Sequence, residues 1–378
     1  MRGGTSRGAF LRAEDMPTDQ DLRERVIAAI YGSPDPQQVD GIGGADPLTS
    51  RVAIVGRSTR GDADVEFTFG QVRILERAVD FDGNCGNISA AVGPFAIDEG
   101  LVPAAEPTRY VRIHLTNTDQ ILVEDVRVRG GRALIDGDAE VPGVPGSGAP
   151  ILMEMGETAG TLCRGILPTG VAAESLPIAG GGEVRVSIVD AGDPVVFDDA
   201  DAAARFGRDA PAPSAELFRW LEAIRGGACV RLGLCARSDE AASVTPAVPK
   251  MYSVGHRTDH TTLEGRAIHA DEMSFAAAGL TMGRPHQAYA VTAAVATAVA
   301  ALVPGTLVDA VTDQRAIETG TIRIGHASGV MALAARVRVD ADGTPAIERV
   351  AVQRTARGIM DSLVYVPLRV FGLSPIQS

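Results

Sequence analysis

Alternation of apolar and polar residues, the mark of a strand with one buried face, recurs along this chain and leaves little room for helices. It is carried by VRIHLTN (111–117), ILVEDVRVRG (121–130), EVRVSIVD (183–190), TIRIGHA (321–327), VMALAARVRVD (330–340) and AIERVAVQR (346–354), each bounded by Gly, Asn or Asp. Long helical patterns are few: DLRERVIAAIYG (21–32), NISAAVGPFAIDEGL (87–101), SAELFRWLEAIRGG (214–227) and HQAYAVTAAVATAVAALV (286–303). The second and fourth are apolar, lie in opposite halves, and follow the glycine-containing polar loops DGNCGN and MGRPHQA. A chain of 378 residues exceeds what one core usually serves. The pattern predicts two pseudo-symmetric β-rich domains, each wrapping one buried helix, with both helix N-termini facing a shared cleft.

Turn-rich connections at about 143–150 (PGVPGSGAP) and 206–214 (FGRDAPAPS) bracket the expected domain changeover near LPIAGGGEV (176–184). The first domain is expected over 1–177, with the chain returning to it at about 346–378, and the second over 178–345. In MGRPHQA, Pro285 is expected at the first helical position, with Arg284 and His286 at the mouth.

A net charge of −13 argues against nucleic acid or anionic membrane as partner, because both require a basic surface. It does not argue against a small anion, since a few arginines in a cleft override the global field. No apolar run reaches the roughly 18 residues of a membrane span, and Met1 leads straight into polar MRGGTSRG, so a cytoplasmic protein is expected. Cys85, Cys163, Cys229 and Cys235 lack zinc-like spacing, and His256 and His260 have no third ligand nearby. Neither metal nor disulfide is expected. Lys250 is the only lysine; the bias toward arginine suits a GC-rich genome.

Cys85 stands between Asn84 and Gly86-Asn87, where DGNCGN gives way to an apolar helical pattern. A cysteine at a helix N-terminus meets unpaired N–H groups and the positive end of the helix dipole, which favour the thiolate. The same N–H groups hold carboxylates. Together they suit proton transfer at a carbon next to a carboxylate; the alternative is an inert buried thiol. RGGTSRG (2–8) offers N–H groups, Thr5 and Ser6 to a carboxylate, or is a plain turn. DGIGGADPLTSRVAIV (40–55) carries Thr49, Ser50 and Arg51 into a strand, where Arg51 either clamps a carboxylate or faces solvent. In GHASG (325–329), small residues around His326 and Ser328 allow close approach of a ligand, or else the histidine is structural.

Taken in order, MRGGTSRG, DGIGGADPLTSRVAIV, DFDGNCGN, GILPTG, GHASG and RTARGIMDSLVYVP resemble the PrpF family over nearly the whole chain. The resemblance implies a diaminopimelate epimerase-like α+β fold: two domains, each a β-barrel-like sheet around a central helix, with the active site between them. It implies an isomerase that moves a proton on an unsaturated di- or tricarboxylate of methylaconitate, aconitate or oxalomesaconate type, with no cofactor. A small polycarboxylate is the expected partner, and a homodimer is compatible with the reading. Cys85 matches the family cysteine that assists proton transfer.

Thr5, Ser6, Ser50, Asn84, Gly86, Asn87, Arg284, His286, His326 and Ser328 are the expected substrate-binding positions. The family's proton-shuttling lysine falls on Arg51, and the lysine of its RGGTSK loop on Arg7. A guanidinium stays protonated. Arg51 therefore stabilises an enolate while Cys85 is the base, or the chain is a carboxylate binder without turnover, or His286 or His326 supplies the base. Family members also carry about ten residues before the equivalent of MRGGTS, so the expected start lies upstream of Met1.

Overall fold

The computed structural model describes residues 1–156, 158–160, 162–199, 214–281 and 284–373, with the backbone alone at Thr281 and Arg284. The chain forms two compact units, 1–153 with the return from 354, and 154–353. Segment 154–177 thus falls in the second unit, where Glu174–Pro177 pairs antiparallel with the start of Glu183–Ala191. The stretch 346–353 joins it by pairing with Gly329–Val339. Residues 206–213 of the FGRDAPAPS connection lie outside the described residues.

In the first unit, β1 (Ser6–Arg12) and β2 (Arg51–Arg57) run parallel and are connected through α1 (Gln20–Tyr31). Strand β3 (Val65–Val72) pairs antiparallel with β2 and hairpins into β4 (Val79–Asp80). Two short helices follow, α2 (Gly86–Ser89) and α3 (Val92–Asp98). Then β5 (Thr108–Leu115) returns parallel to β3, and β6 (Gln120–Arg129) pairs antiparallel with β5. Asp19 caps α1 by accepting the Leu22 N–H at 2.8 Å, and Gly32, at φ 75°, ends it in the left-handed conformation that glycine adopts without penalty.

The second unit repeats this order of pairings. β7 (Asp193–Asp198) and β8 (Lys250–Gly255) are parallel, and α4 (Ala215–Arg231) lies in their connection. β9 (Phe275–Thr281) pairs antiparallel with β8 and hairpins into β10 (Arg284–Pro285), ahead of α5 (Val291–Ala300). β11 (Thr321–His326) is parallel to β9, and β12 (Gly329–Val339) antiparallel to β11. The recurrence makes β2 and β8 equivalent strands, with Arg51 and Lys250 as their first residues.

The strands of each unit are covered on both faces. Val26, Ile27, Ile30 and Tyr31 of α1 pack on Val52 and Ile54 of β2, so the alternate residues Arg51, Ala53 and Val55 face α2 and α3. Likewise Leu221, Ile224 and Ala228 of α4 cover Val196 and Met251, which turns Lys250, Tyr252 and Val254 toward α5. Every residue of α5 is buried, and its alanines let the surrounding strands approach closely.

Two helix expectations need correction. The helix after Cys85 is not continuous: Ala90 and Ala91 separate α2 from α3. Pro94 has no N–H to donate, and the Gly93 N–H is diverted to Glu124 Oε2 at 2.8 Å. Pro285 is not the first helical residue but part of β10, opposite Leu280, and α5 begins six residues later.

Candidate active site

The first unit gathers a cluster around Cys85. Cys85 is the N-cap of α2, and its Sγ accepts the Ile88 N–H at 3.4 Å. Arg51 reaches it from the start of β2: Nη1 donates to Cys85 Sγ and, at 2.7 Å, to Ser6 Oγ, while Nε donates to Pro47 O at 3.1 Å. All three side chains are buried, with Cys85 at 7 %, Arg51 at 8 % and Ser6 at 2 % exposure. The contact is a charge-assisted one if the sulfur is ionised.

Local backbone packing places Arg51. Tyr31, the last residue of α1, donates its hydroxyl to the Arg51 carbonyl and accepts the Ala9 N–H at 2.8 Å. Burial raises the Tyr31 hydroxyl pKa, so it stays a donor. Gly8 lies against the same carbonyl: a Cβ there would sit 1.8 Å from Arg51 O, leaving glycine as the residue that fits.

The RGGTSRG loop lies on the start of α2. Thr5 N–H donates to Asn87 Oδ1 at 3.2 Å, and a Cβ on Gly4, whose φ is +47°, would lie 2.1 Å from that oxygen. Thr5 Oγ1 is buried without a hydrogen-bond partner. So is Asn84 Oδ1, although Asn84 Nδ2 is anchored to Thr118 Oγ1 at 2.8 Å. These two uncommitted polar atoms lie on the segments flanking a buried thiol and a buried guanidinium, where they can serve a polar ligand. Gly86 and Asn87 form the first turn beside Cys85.

Ser50 is also buried, but its hydroxyl donates to Gln38 Oε1 at 2.7 Å. Gln38, at φ 50°, additionally receives Ala45 N–H at 2.9 Å and donates to Ser33 Oγ at 3.1 Å. It ties the 40–50 loop ahead of Arg51. Sequence reading missed Gln38, since its partners are scattered over 33–50.

In the second unit, His326 is 1 % exposed; its Nδ1 accepts the Ser328 N–H at 3.3 Å, and its ring packs 5.9 Å from that of Tyr289. Ser328 Oγ donates to Gln287 O at 2.5 Å, and the buried His286 donates its N–H to Gly279 O at 2.9 Å. These contacts fix the segment leading into α5. The side chain of Arg284 and residues 282–283 lie outside the described residues. Among the described residues no group of three or more His, Cys, Asp or Glu side chains is placed to hold a metal ion.

One buried carboxyl went unnoticed in the sequence. Glu124 on β6 is fully buried, and desolvation pushes its pKa up to about 8 against the opposing hydrogen bond from Gly93. It sits at the break between α2 and α3.

Comparison with known proteins places the chain in a family. The model of the family described as PrpF protein matches residues 1–367. The chain is 44% identical to 3-methylitaconate isomerase of Eubacterium barkeri over 370 residues, covering 97% of this chain and 96% of that protein. It is 38% identical to (4E)-oxalomesaconate Delta-isomerase of Novosphingobium sp. (strain KA1) over 372 residues, covering 97% and 96% respectively. The crystal structure of a methylitaconate-delta-isomerase superposes with a TM-score of 0.82 at 42% identity, covering 100% of this chain and 96% of that one. A probable proline racemase from Agrobacterium radiobacter K84 shares the fold, with a TM-score of 0.51 at 13% identity over 94% of this chain and 87% of that one.

Proposed function

Because the chain belongs to the PrpF family, we propose that it is an isomerase of unsaturated di- or tricarboxylates that works by proton transfer through its own side chains. The observation that carries this reading is the Arg51–Cys85 contact at the start of α2. In that pair only the sulfur can take a proton from carbon, since a guanidinium does not give up its own at accessible pH.

Cys85, as the thiolate, removes a proton from the carbon allylic to a carboxyl-bearing double bond. The resulting dienolate carries its charge onto a carboxylate held by Thr5, Asn84 and the N–H groups at the start of α2. Arg51 stabilises that charge without reorganising, because Ser6 and Pro47 already fix it. Return of the proton from Cys85 to the far carbon shifts the alkene; rotation within the dienolate followed by return of the proton to the carbon it left gives a cis-trans isomer. Relatives named for methylitaconate and oxalomesaconate support this substrate class.

The test is proton NMR of the purified protein with 3-methylitaconate, 2-methylaconitate, cis- and trans-aconitate and 4-oxalomesaconate in turn. Conversion of one acid to its isomer is the expected result. Binding without conversion, with turnover appearing in Arg51→Lys, identifies the chain instead as a carboxylate binder that lost its base.

A further inference from the structure

The first unit holds a cleft of about 410 Å³ between the end of α1, the β3–β4 hairpin and the returning chain at Pro367–Val370. That volume lies within the roughly 300–1,000 Å³ of small-molecule sites. The cleft is apart from the Cys85 cluster. Helix α1 and Val370 pack on the Val52 and Ile54 face of β2, whereas the Arg51 side chain leaves the opposite face to reach Cys85.

Three arginines line the cleft: Arg25 of α1, Arg77 of the hairpin and Arg369 of the returning chain. Arg25 is committed, since its Nη1 donates to Val370 O at 3.1 Å and its Nη2 pairs with Asp21 at 3.1 Å. Arg77 and Arg369 are not: among the described residues neither side chain makes a hydrogen bond or ion pair. Asp35 and Asp40 line the same cleft. Asp35 Oδ2 accepts the Val39 N–H at 2.9 Å, and the Asp40 carboxylate has no partner among the described residues. The carbonyls of Ala28, Ala29 and Ile30 at the end of α1 are already taken by the N–H groups of Ser33, Gly32 and Ile42.

Opposite charges that share a cleft without closing on each other leave both open to a ligand. The two free guanidiniums call for an anionic group, and the carboxylates call for donors. A phosphate monoester carries a charge of about −1.5 to −2 near neutral pH, which two guanidinium forks match. The carboxylate of an amino acid would leave one guanidinium unmatched, and the further carboxylates of a polycarboxylate would be repelled by Asp35 and Asp40. Sugar hydroxyls donate to such carboxylates. We propose that this cleft binds the phosphate monoester of a sugar, free or within a nucleotide, with the phosphate on Arg77 and Arg369 and a hydroxyl on Asp40. The site goes beyond the reaction proposed above and does not depend on it.

Calorimetric titration of the natural protein with ribose 5-phosphate, AMP and inorganic phosphate tests the proposal. At least one of the two esters is expected to bind tenfold or more tightly than inorganic phosphate, and the tighter ester identifies the source as free sugar or nucleotide. Arg77→Ala and Arg369→Ala are each expected to weaken that binding at least tenfold, and Asp40→Ala to erase the preference over inorganic phosphate. All three side chains are exposed, so their removal leaves the core intact. Absence of ester binding at millimolar concentration overturns the proposal. So does an affinity no better than that of inorganic phosphate, an unchanged affinity in either arginine variant, or a full preference kept by Asp40→Ala.

Discussion

Arg51 Nη1 donates to the sulfur of Cys85 and to the hydroxyl of Ser6 at 2.7 Å, coupling the start of a strand to the N-cap of a helix thirty-four residues away. In the proposed reaction Arg51 supplies fixed charge, and Cys85 supplies the exchangeable proton.

Replacing Arg51 by Met keeps the length of the side chain but removes the cation and its donors. Loss of one preorganised donor of this kind costs about 10²–10³ in kcat. Turnover of the accepted acid by Arg51→Met is expected to fall by that factor, while Arg51→Lys, still cationic, stays within about tenfold of the natural protein. Equal losses in both variants would mean that guanidinium geometry, not charge, is required.

Tyr31→Phe leaves the buried shape but strips the Ala9 N–H of its acceptor and the Arg51 carbonyl of its donor. An unsatisfied buried group costs about 1–3 kcal/mol. The urea midpoint is expected to drop accordingly, and kcat to suffer more than KM as Arg51 loses its anchor. A loss under about 0.5 kcal/mol with unchanged kcat would remove Tyr31 from the account.

Glu124 makes a prediction about pH. Its folded pKa of about 8 lies above the ordinary 4.5, so between those values the native state holds a proton that the unfolded state has released. Its contribution to stability is fully present below about pH 4.5 and is lost as pH rises through 8. Glu124→Gln keeps the size and the acceptor for Gly93 without the ionisation. Denaturant titrations from pH 5 to 8 are expected to show a flatter stability profile for the variant, by up to about 1 kcal/mol per pH unit. Parallel profiles would place the ionisation elsewhere.

The strands were legible because alternation is local: TIRIGHA and ILVEDVRVRG carry it within one segment, and β11 and β6 form there. The loop-to-helix change at Cys85 was legible for the same reason. Pro94 was equally visible, but the helix break depends on Glu124, a residue distant in sequence that captures the Gly93 N–H. Gln38 and Ser50 were beyond reading in their roles, since a left-handed residue and a serine become one network only once the 33–50 loop is folded. Lys250 and Asp193, an ion pair, are 57 residues apart and carry no motif. What brings them together is the parallel pairing of β7 and β8, the strands they open, on either side of a long connection.

The most direct test follows the proton itself. The acid that the natural protein turns over is incubated in D₂O with that protein and with Cys85→Ser, each checked for a native circular dichroism spectrum. The account predicts deuterium at the allylic carbon with the natural protein, and a rate at least about 10³-fold lower with Cys85→Ser, whose hydroxyl is a far weaker base than a thiolate. Exchange by Cys85→Ser at the natural rate would contradict it and move the base to another residue.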